Sequence, residues 1–171
     1  MLDILIKNGI IVDGSGKDRY VGDVGISSDR IVSVGPVLDS EAAQVIDASG
    51  LIVCPGFIDN HSHSEANVFA DPLAHNIVGQ GITTEIGGNC GHSIGPSKSG
   101  VWTLGRGLFP QLNEEEISDL IAHCATFGDY MNYIDIPMAT NIYSYVGHGQ
   151  VRAATMGFAD RPPTLAEMEQ M

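Results

Sequence analysis

The chain has 171 residues, 43% of them hydrophobic, which is enough to bury a core. Twenty-one acidic residues against eight basic ones give a net charge of −13, which argues against nucleic acid or an anionic membrane surface as partner, since both need basic patches. Three cysteines (Cys54, Cys90, Cys124) form no close pair, the N-terminus carries no leader-like pattern, and no apolar run approaches the roughly 18 residues of a membrane helix, so a soluble protein of the reducing cytoplasm is expected.

Residues 2–53 read as short strands divided by turn signals, and strands this short and regular predict antiparallel sheet. Asp3–Lys7 stops at Asn8-Gly9, and Ile10–Val12 stops at Asp13-Gly14-Ser15-Gly16. Val21–Ser27 turns through Ser28-Asp29 into Arg30–Val34, closed by Gly35-Pro36, and Val45–Asp47 follows. Gly14-Ser15-Gly16-Lys17 lacks the first glycine of a phosphate-binding loop and the Ser or Thr after its lysine, so it is a hairpin turn.

Past Gly50 the pattern changes. Leu51–Ile58 is an apolar run interrupted at Pro55-Gly56, as expected of a strand buried on both faces in a parallel sheet. Asp71-Pro72 opens a short helix over Leu73–Val78, with Asp71 suited to the N-cap. Ile82–Ile86 is a β-branched strand that ends in Gly87-Gly88-Asn89-Cys90-Gly91, completing a βαβ unit. Glycine-rich irregular sequence fills 91–110, and Asn113 with Glu114-Glu115-Glu116 starts a helix to about Phe127. Pro137–Val146 is a third strand ending in Gly147-His148-Gly149, and Thr164-x-x-Glu167 opens a last helix. The expected fold is therefore α/β: a small β-module over 1–54, then the first βα units of a (β/α)8 TIM barrel over 55–171. A full barrel needs roughly 250 residues, and a capped helix two turns before Met171 makes the chain read as the N-terminal part of one.

The chemistry lies at the C-terminal ends of the predicted barrel strands, the face on which barrels build active sites. His61 and His63 are two apart, so an extended backbone presents both imidazoles to one side, half of a zinc site that keeps a position open for water. For Cys90 two readings stand, a thiolate ligand or a small buried hydrophobe. Its glycine and asparagine neighbours offer no face to bury, which favours the ligand. His148 is a loop histidine contacting substrate or backbone. Asp59 is a structural hydrogen-bonding residue near the site, and Glu65 either orients a ligand histidine or is solvated. His75, His92 and His123 are ordinary surface or satisfied polar residues, and Cys54 and Cys124 belong to the core or a helix face.

Taken together, Asp13-Gly14-Ser15-Gly16, Asp23-Val24-Gly25-Ile26, Arg30-Ile31, Ile46-Asp47-Ala48-Ser49-Gly50, Pro55-Gly56-Phe57-Ile58-Asp59 and His61-x-His63 resemble the amidohydrolase superfamily. Gln80-Gly81-Ile82-Thr83-Thr84, Gly88-Asn89-Cys90-Gly91, Gly147-His148, Val151-Arg152 and Met156-Gly157 make the chain similar, nearly end to end, to the N-acyl-D-amino-acid deacylases, or D-aminoacylases. The resemblance implies a metal-dependent-hydrolase barrel carrying a β-sandwich built from both chain ends. It implies zinc as cofactor, held by the cysteine and two later histidines, with His61 and His63 forming a second, weaker position and a later aspartate accepting a proton. The later histidines and the aspartate have no counterpart here, so His61, His63 and Cys90 carry over as metal ligands and His148 as an active-site residue. The implied reaction is hydrolysis of the amide of an N-acyl-D-amino acid, a small-molecule substrate, to a carboxylate and a free D-amino acid by the full-length enzyme. The 171-residue chain alone is expected to be inactive and to self-associate or pair with a complementing C-terminal segment. Two alternatives stand beside this. One is a cyclic amide or ureide hydrolase of the hydantoinase or dihydroorotase type, against which a cysteine in place of a carboxylated lysine argues. The other is a non-catalytic fragment that keeps the ligand pair without the chemistry.

Overall fold

The computed structural model describes residues 1–36, 38, 40–97 and 112–171. The irregular stretch expected over 91–110 lies outside the described residues from 98 onward. The chain forms two units, Met1–Pro55 and Gly56–Met171.

In the first unit, β1 (Leu2–Ile11), β2 (Tyr20–Ser27), β3 (Arg30–Gly35) and β4 (Ala42–Asp47) form a sheet in the order β3-β2-β1-β4, and β5 (Ile52–Val53) also pairs with β1. The two strands expected on either side of Asn8-Gly9 are one strand with a bulge. The register against β2 shifts between Ile6 and Gly9, and Asn8 takes a left-handed φ of 60°. Asparagine tolerates that conformation, and here it is held from both ends. The Asn8 backbone N–H donates to Asp23 Oδ1 at 2.9 Å, and its side-chain amide donates to Asp47 Oδ1 at 3.1 Å. Burial pushes the Asp23 carboxyl up, but backbone N–H groups of Leu38 and Asn8 hold it below the ordinary carboxylate range. The sheet is also mixed rather than antiparallel, because β4 and β5 both pair parallel to β1. Between β3 and β4 the chain crosses from one edge of the sheet to the other, and that crossing delivers β4 in the direction of β1.

In the second unit, β6 (Phe57–Asp59), β7 (Ile82–Gly87) and β8 (Asn141–Ser144) are all parallel, with β7 central. The apolar run 51–58 is shared between the two sheets instead of making one buried strand, and Ile52, Phe57 and Ile58 are 61%, 58% and 65% exposed. Pro55 has no N–H to give a ladder, which divides the run. Between β6 and β7 lie α1 (Asn67–Ala70), which the sequence did not suggest, and α2 (His75–Val78). Asp71 is not the N-cap of α2. Ala74 holds that position with a φ of 44°, and Asp71 reaches the helix from further out, accepting the His75 N–H at 3.1 Å.

The helix expected from Asn113 to about Phe127 ends earlier, as α3 (Glu114–His123), and a further helix that the sequence did not suggest, α4 (Phe127–Tyr133), follows it. Asn113 and Glu116 form a capping box for α3, and a second box, Thr126 with Asp129, restarts the chain as α4. Ile117, Leu120 and Cys124 line one face of α3 and join Tyr130, Ile134, Val68 and Ile94 in the core. Burial pushes the Cys124 thiol up to about 12, with Asp129 and Asp119 adding to the shift, so this cysteine is unreactive. Cys54, expected in a core, is exposed. After β8 comes α5 (His148–Met156), also not foreseen, and then α6 (Leu165–Gln170) with the Thr164–Glu167 capping box that the sequence predicts. No helix among the described residues is long and apolar enough to cross a membrane.

The start of α6 is expected to respond to pH. Hydrogen bonds from the Arg161 side chain, at 2.6 and 2.8 Å, and from Thr164 hold the Glu167 carboxyl down at about 2. A carboxyl lowered in the folded state stabilises at pH above its unfolded value and loses that contribution as pH falls through the folded one. The 165–170 amide resonances are therefore expected to stay helical down to about 4.5 and to lose helical shifts only toward about 2. Glu167→Gln should fray the helix already at neutral pH.

Candidate metal centre

The two histidines follow β6 directly. Asp59, which ends that strand, accepts the His61 N–H at 3.1 Å. Beyond the strand end the side chains alternate in their partners, His61 and His63 facing each other and Ser62 and Ser64 facing each other. The imidazole rings meet edge to face, centroids 5.5 Å apart. The Ser62 and Ser64 hydroxyls lie 2.6 Å apart, and both reach Glu85 Oε1 of β7, Ser62 at 2.9 Å. The Ser62 N–H donates to the Ile86 carbonyl at 3.0 Å, which ties the histidine segment to β7 beyond the end of the β6–β7 pairing.

Cys90 lies just past the end of β7, in a 3-10 turn over Asn89–Gly91, with a left-handed φ of 55°. A non-glycine residue held there costs of order 1–3 kcal/mol and persists only when its surroundings determine it. They do. Glu65 accepts the Gly88 N–H, and the Asn89 side-chain amide donates to the Ile86 carbonyl at 2.7 Å and the Ser62 carbonyl at 3.4 Å. Gly88 itself has a φ of 74°, and a Cβ there would lie 2.0 Å from the Tyr145 carbonyl oxygen.

These anchors bring the donor atoms of His61, His63 and Cys90 within 4.8 Å of one another, with His61 Nε2 3.2 Å from Cys90 Sγ. His61 and Cys90 are exposed and His63 is half-buried. Two imidazoles and a thiol facing solvent are a donor set that zinc accepts, with room for a further ligand from solution.

His148 is outside this set. It is the exposed first residue of α5, but its flanking glycines pack on the cysteine turn. A Cβ at Gly147 or Gly149 would lie 2.6 or 2.9 Å from the Gly91 carbonyl oxygen. Two expectations need correcting. Glu65 neither orients a ligand histidine nor is solvated: it is 2% exposed and holds the backbone ahead of Cys90. His92 is not an ordinary surface residue, since its ring stands 6.5 Å from that of His63 and its Nδ1 is buried without a hydrogen-bond partner. His75 and His123 are satisfied polar residues as expected, paired with Asp71 and Asp119. No motif in the sequence marks Glu85, Ser62 or Ser64 as part of a site. A carboxylate in the middle of a β-branched strand was the available signal, because such a group must find hydrogen bonds if it is buried.

Residues 44–164 match the amidohydrolase family. An N-acyl-D-aspartate deacylase from Alcaligenes xylosoxydans xylosoxydans is 35% identical over 99% of this chain and 33% of its own length. A D-aminoacylase structure with a binuclear metal centre superposes with a TM-score of 0.86 at 31% identity, covering 99% of this chain and 35% of that one. The N-acyl-D-glutamate deacylase of Bordetella bronchiseptica, solved with zinc and a phosphonate inhibitor, superposes with a TM-score of 0.80 at 32% identity, over 99% and 34%. The chain thus spans about a third of the length of the curated relatives it matches. With its α/β fold and a family match over residues 44–164, the chain belongs to the amidohydrolase family, and within that family it is similar to the N-acyl-D-amino-acid deacylases.

Proposed function

We propose that this chain is the N-terminal part of a zinc-dependent enzyme that hydrolyses the amide bond of N-acyl-D-amino acids, with His61, His63 and Cys90 as metal ligands. The observation that carries the reading is the convergence of these three donors within 4.8 Å at the ends of two adjacent parallel strands. In this reading β6, β7 and β8 are the first three strands of a (β/α)8 barrel, and the sheet of the first unit is one part of a β-sandwich. The likeness to deacylase structures over 99% of the chain supports both.

When bound, zinc supplies Lewis acidity toward water and toward the acyl carbonyl. The chain's own residues hold its place. Asp59 turns the backbone so that His61 and His63 face Cys90, and Glu65 with Asn89 keeps the cysteine turn closed on the strand end. In this reading His148, whose flanking glycines pack on that turn, contacts substrate. Because the chain spans about a third of its relatives' length, this activity is proposed for the longer protein and not for these 171 residues alone.

The test starts with native mass spectrometry of the purified protein for partner mass and zinc content. Release of free amino acid is then assayed on N-acyl-D-amino acids with acidic and with apolar side chains, against their L enantiomers and a cyclic ureide. Zinc-dependent release from the D substrates alone is expected of the completed protein. Turnover of the cyclic ureide, or equal turnover of D and L forms, would overturn the assignment.

A further inference from the structure

We infer that Glu85 is a positioning residue for the histidine pair, acting through Ser62 and Ser64 to aim His61 and His63 at Cys90; the inference rests on the metal reading above. Glu85 sits mid-strand in β7, the central strand of its sheet, and is 1% exposed. A carboxyl group there is costly unless its oxygens are hydrogen-bonded, and both are. Oε1 takes the hydroxyls of Ser62 and Ser64, and Oε2 takes the Thr140 hydroxyl at 3.2 Å. One side chain therefore ties the segment after β6 and the segment before β8 to the middle of β7.

The consequence follows from how the contacts alternate along this segment. His61 and His63 meet each other while Ser62 and Ser64 meet on Glu85, so fixing the two serines constrains the backbone from which both imidazoles project. Asp59 anchors this segment before His61, and Ile86 and Asn89 hold the Ser62 N–H and carbonyl, but Glu85 is the side chain that takes both serine hydroxyls. Removing the carboxyl group would leave the buried Ser62 hydroxyl and the half-buried Ser64 hydroxyl without that acceptor and loosen the backbone on either side of His63. Ligand side chains work only when held within about 0.5 Å of their productive geometry. Changes one layer out typically cost 10–100-fold in metal affinity.

The test measures zinc affinity of the chain by competition with a chromogenic chelator, and the absorption spectrum after cobalt(II) substitution, which reports ligand geometry. Glu85→Ala and the double variant Ser62→Ala/Ser64→Ala are each expected to bind zinc about 10–100-fold more weakly with a changed cobalt spectrum. Glu85→Gln should rescue, staying within a few-fold (~3) of wild type, because its amide oxygen can accept the serine hydroxyls while its NH2 donates to Thr140. Thr140→Val should lower thermal stability while leaving zinc affinity unchanged, which a merely structural role for the whole cluster would not predict for the other variants. If Glu85→Ala fails to fold, the serine pair decides. Folded variants with wild-type affinity and cobalt spectrum would overturn the inference and leave the metal reading standing. A wild-type chain that binds no zinc through His61, His63 and Cys90 would overturn the metal reading, and the positioning role with it.

Discussion

Replacing Cys90 by serine is expected to weaken zinc binding by more than about 100-fold, beyond what changes outside the ligand set produce. The substitution keeps the size of the side chain and exchanges a thiolate for a hydroxyl that stays protonated at neutral pH and is a poor zinc ligand. It also removes the sulfur 3.2 Å from His61 Nε2, leaving His61 and His63 as the two remaining donors of the group. Cys54→Ser is the control, since Cys54 is exposed and belongs to no ligand group among the described residues. Isothermal titration with zinc on both variants decides the point. Equal affinities would remove cysteine from the ligand set and return Cys90 to its plainer role as a small side chain in a tight turn.

The second large effect is on the backbone that carries Cys90. Gly88→Ala should destabilise the chain by about 3 kcal/mol or more, combining a left-handed penalty of roughly 1–2 kcal/mol with overpacking of about 1–3 kcal/mol. The overpacking is severe because the new Cβ would meet the Tyr145 backbone, with its oxygen at 2.0 Å, and backbone cannot swing aside as a side chain can. Gly81→Ala separates the two contributions. Its φ of 79° carries a similar conformational penalty, while its Cβ would meet only the Phe57 ring at an ordinary 3.4 Å, so about 1–2 kcal/mol is expected. Urea unfolding midpoints give the comparison. In Gly88→Ala the displaced loop should also lower zinc affinity, because Gly88 and Asn89 are the residues that Glu65 and Ser62 hold. Equal costs at the two positions would mean that the segments following β7 and β8 yield freely, and that the turn is less rigid than its hydrogen bonds imply.

Much of the fold was legible because the signals are local. The capping residues Asn113 and Thr164 satisfy N–H groups two or three positions away, and each observed helix starts at the next residue. The strand around Ile82–Ile86 is a β-branched run between glycines, and it appears as β7 with one residue added. The spacing of His61 and His63 predicts two imidazoles on one side, and the rings do meet, with centroids 5.5 Å apart. By contrast, α4 was missed because the Thr126–Asp129 box that opens it is a weaker pattern than Ser/Thr-x-x-Glu. The bulge at Asn8 and the parallel pairing of β4 were missed for a different reason. Both depend on what the strand lies against, and strand propensity carries no information about the partner.

The sequence by itself determined that this is an α/β chain with a βαβ unit, two histidines on one side of a strand end, and a cysteine in a glycine-rich turn after the next strand. Those features are set by spacings of a few residues. Only the tertiary structure decided that Cys90 arrives 3.2 Å from His61, that Glu65 holds the cysteine turn, and that Glu85 takes hydrogen bonds from three residues on two neighbouring segments. These contacts join groups 21 to 55 residues apart in sequence. Their geometry follows from the register of parallel strands, and register is set by the packing of the whole sheet.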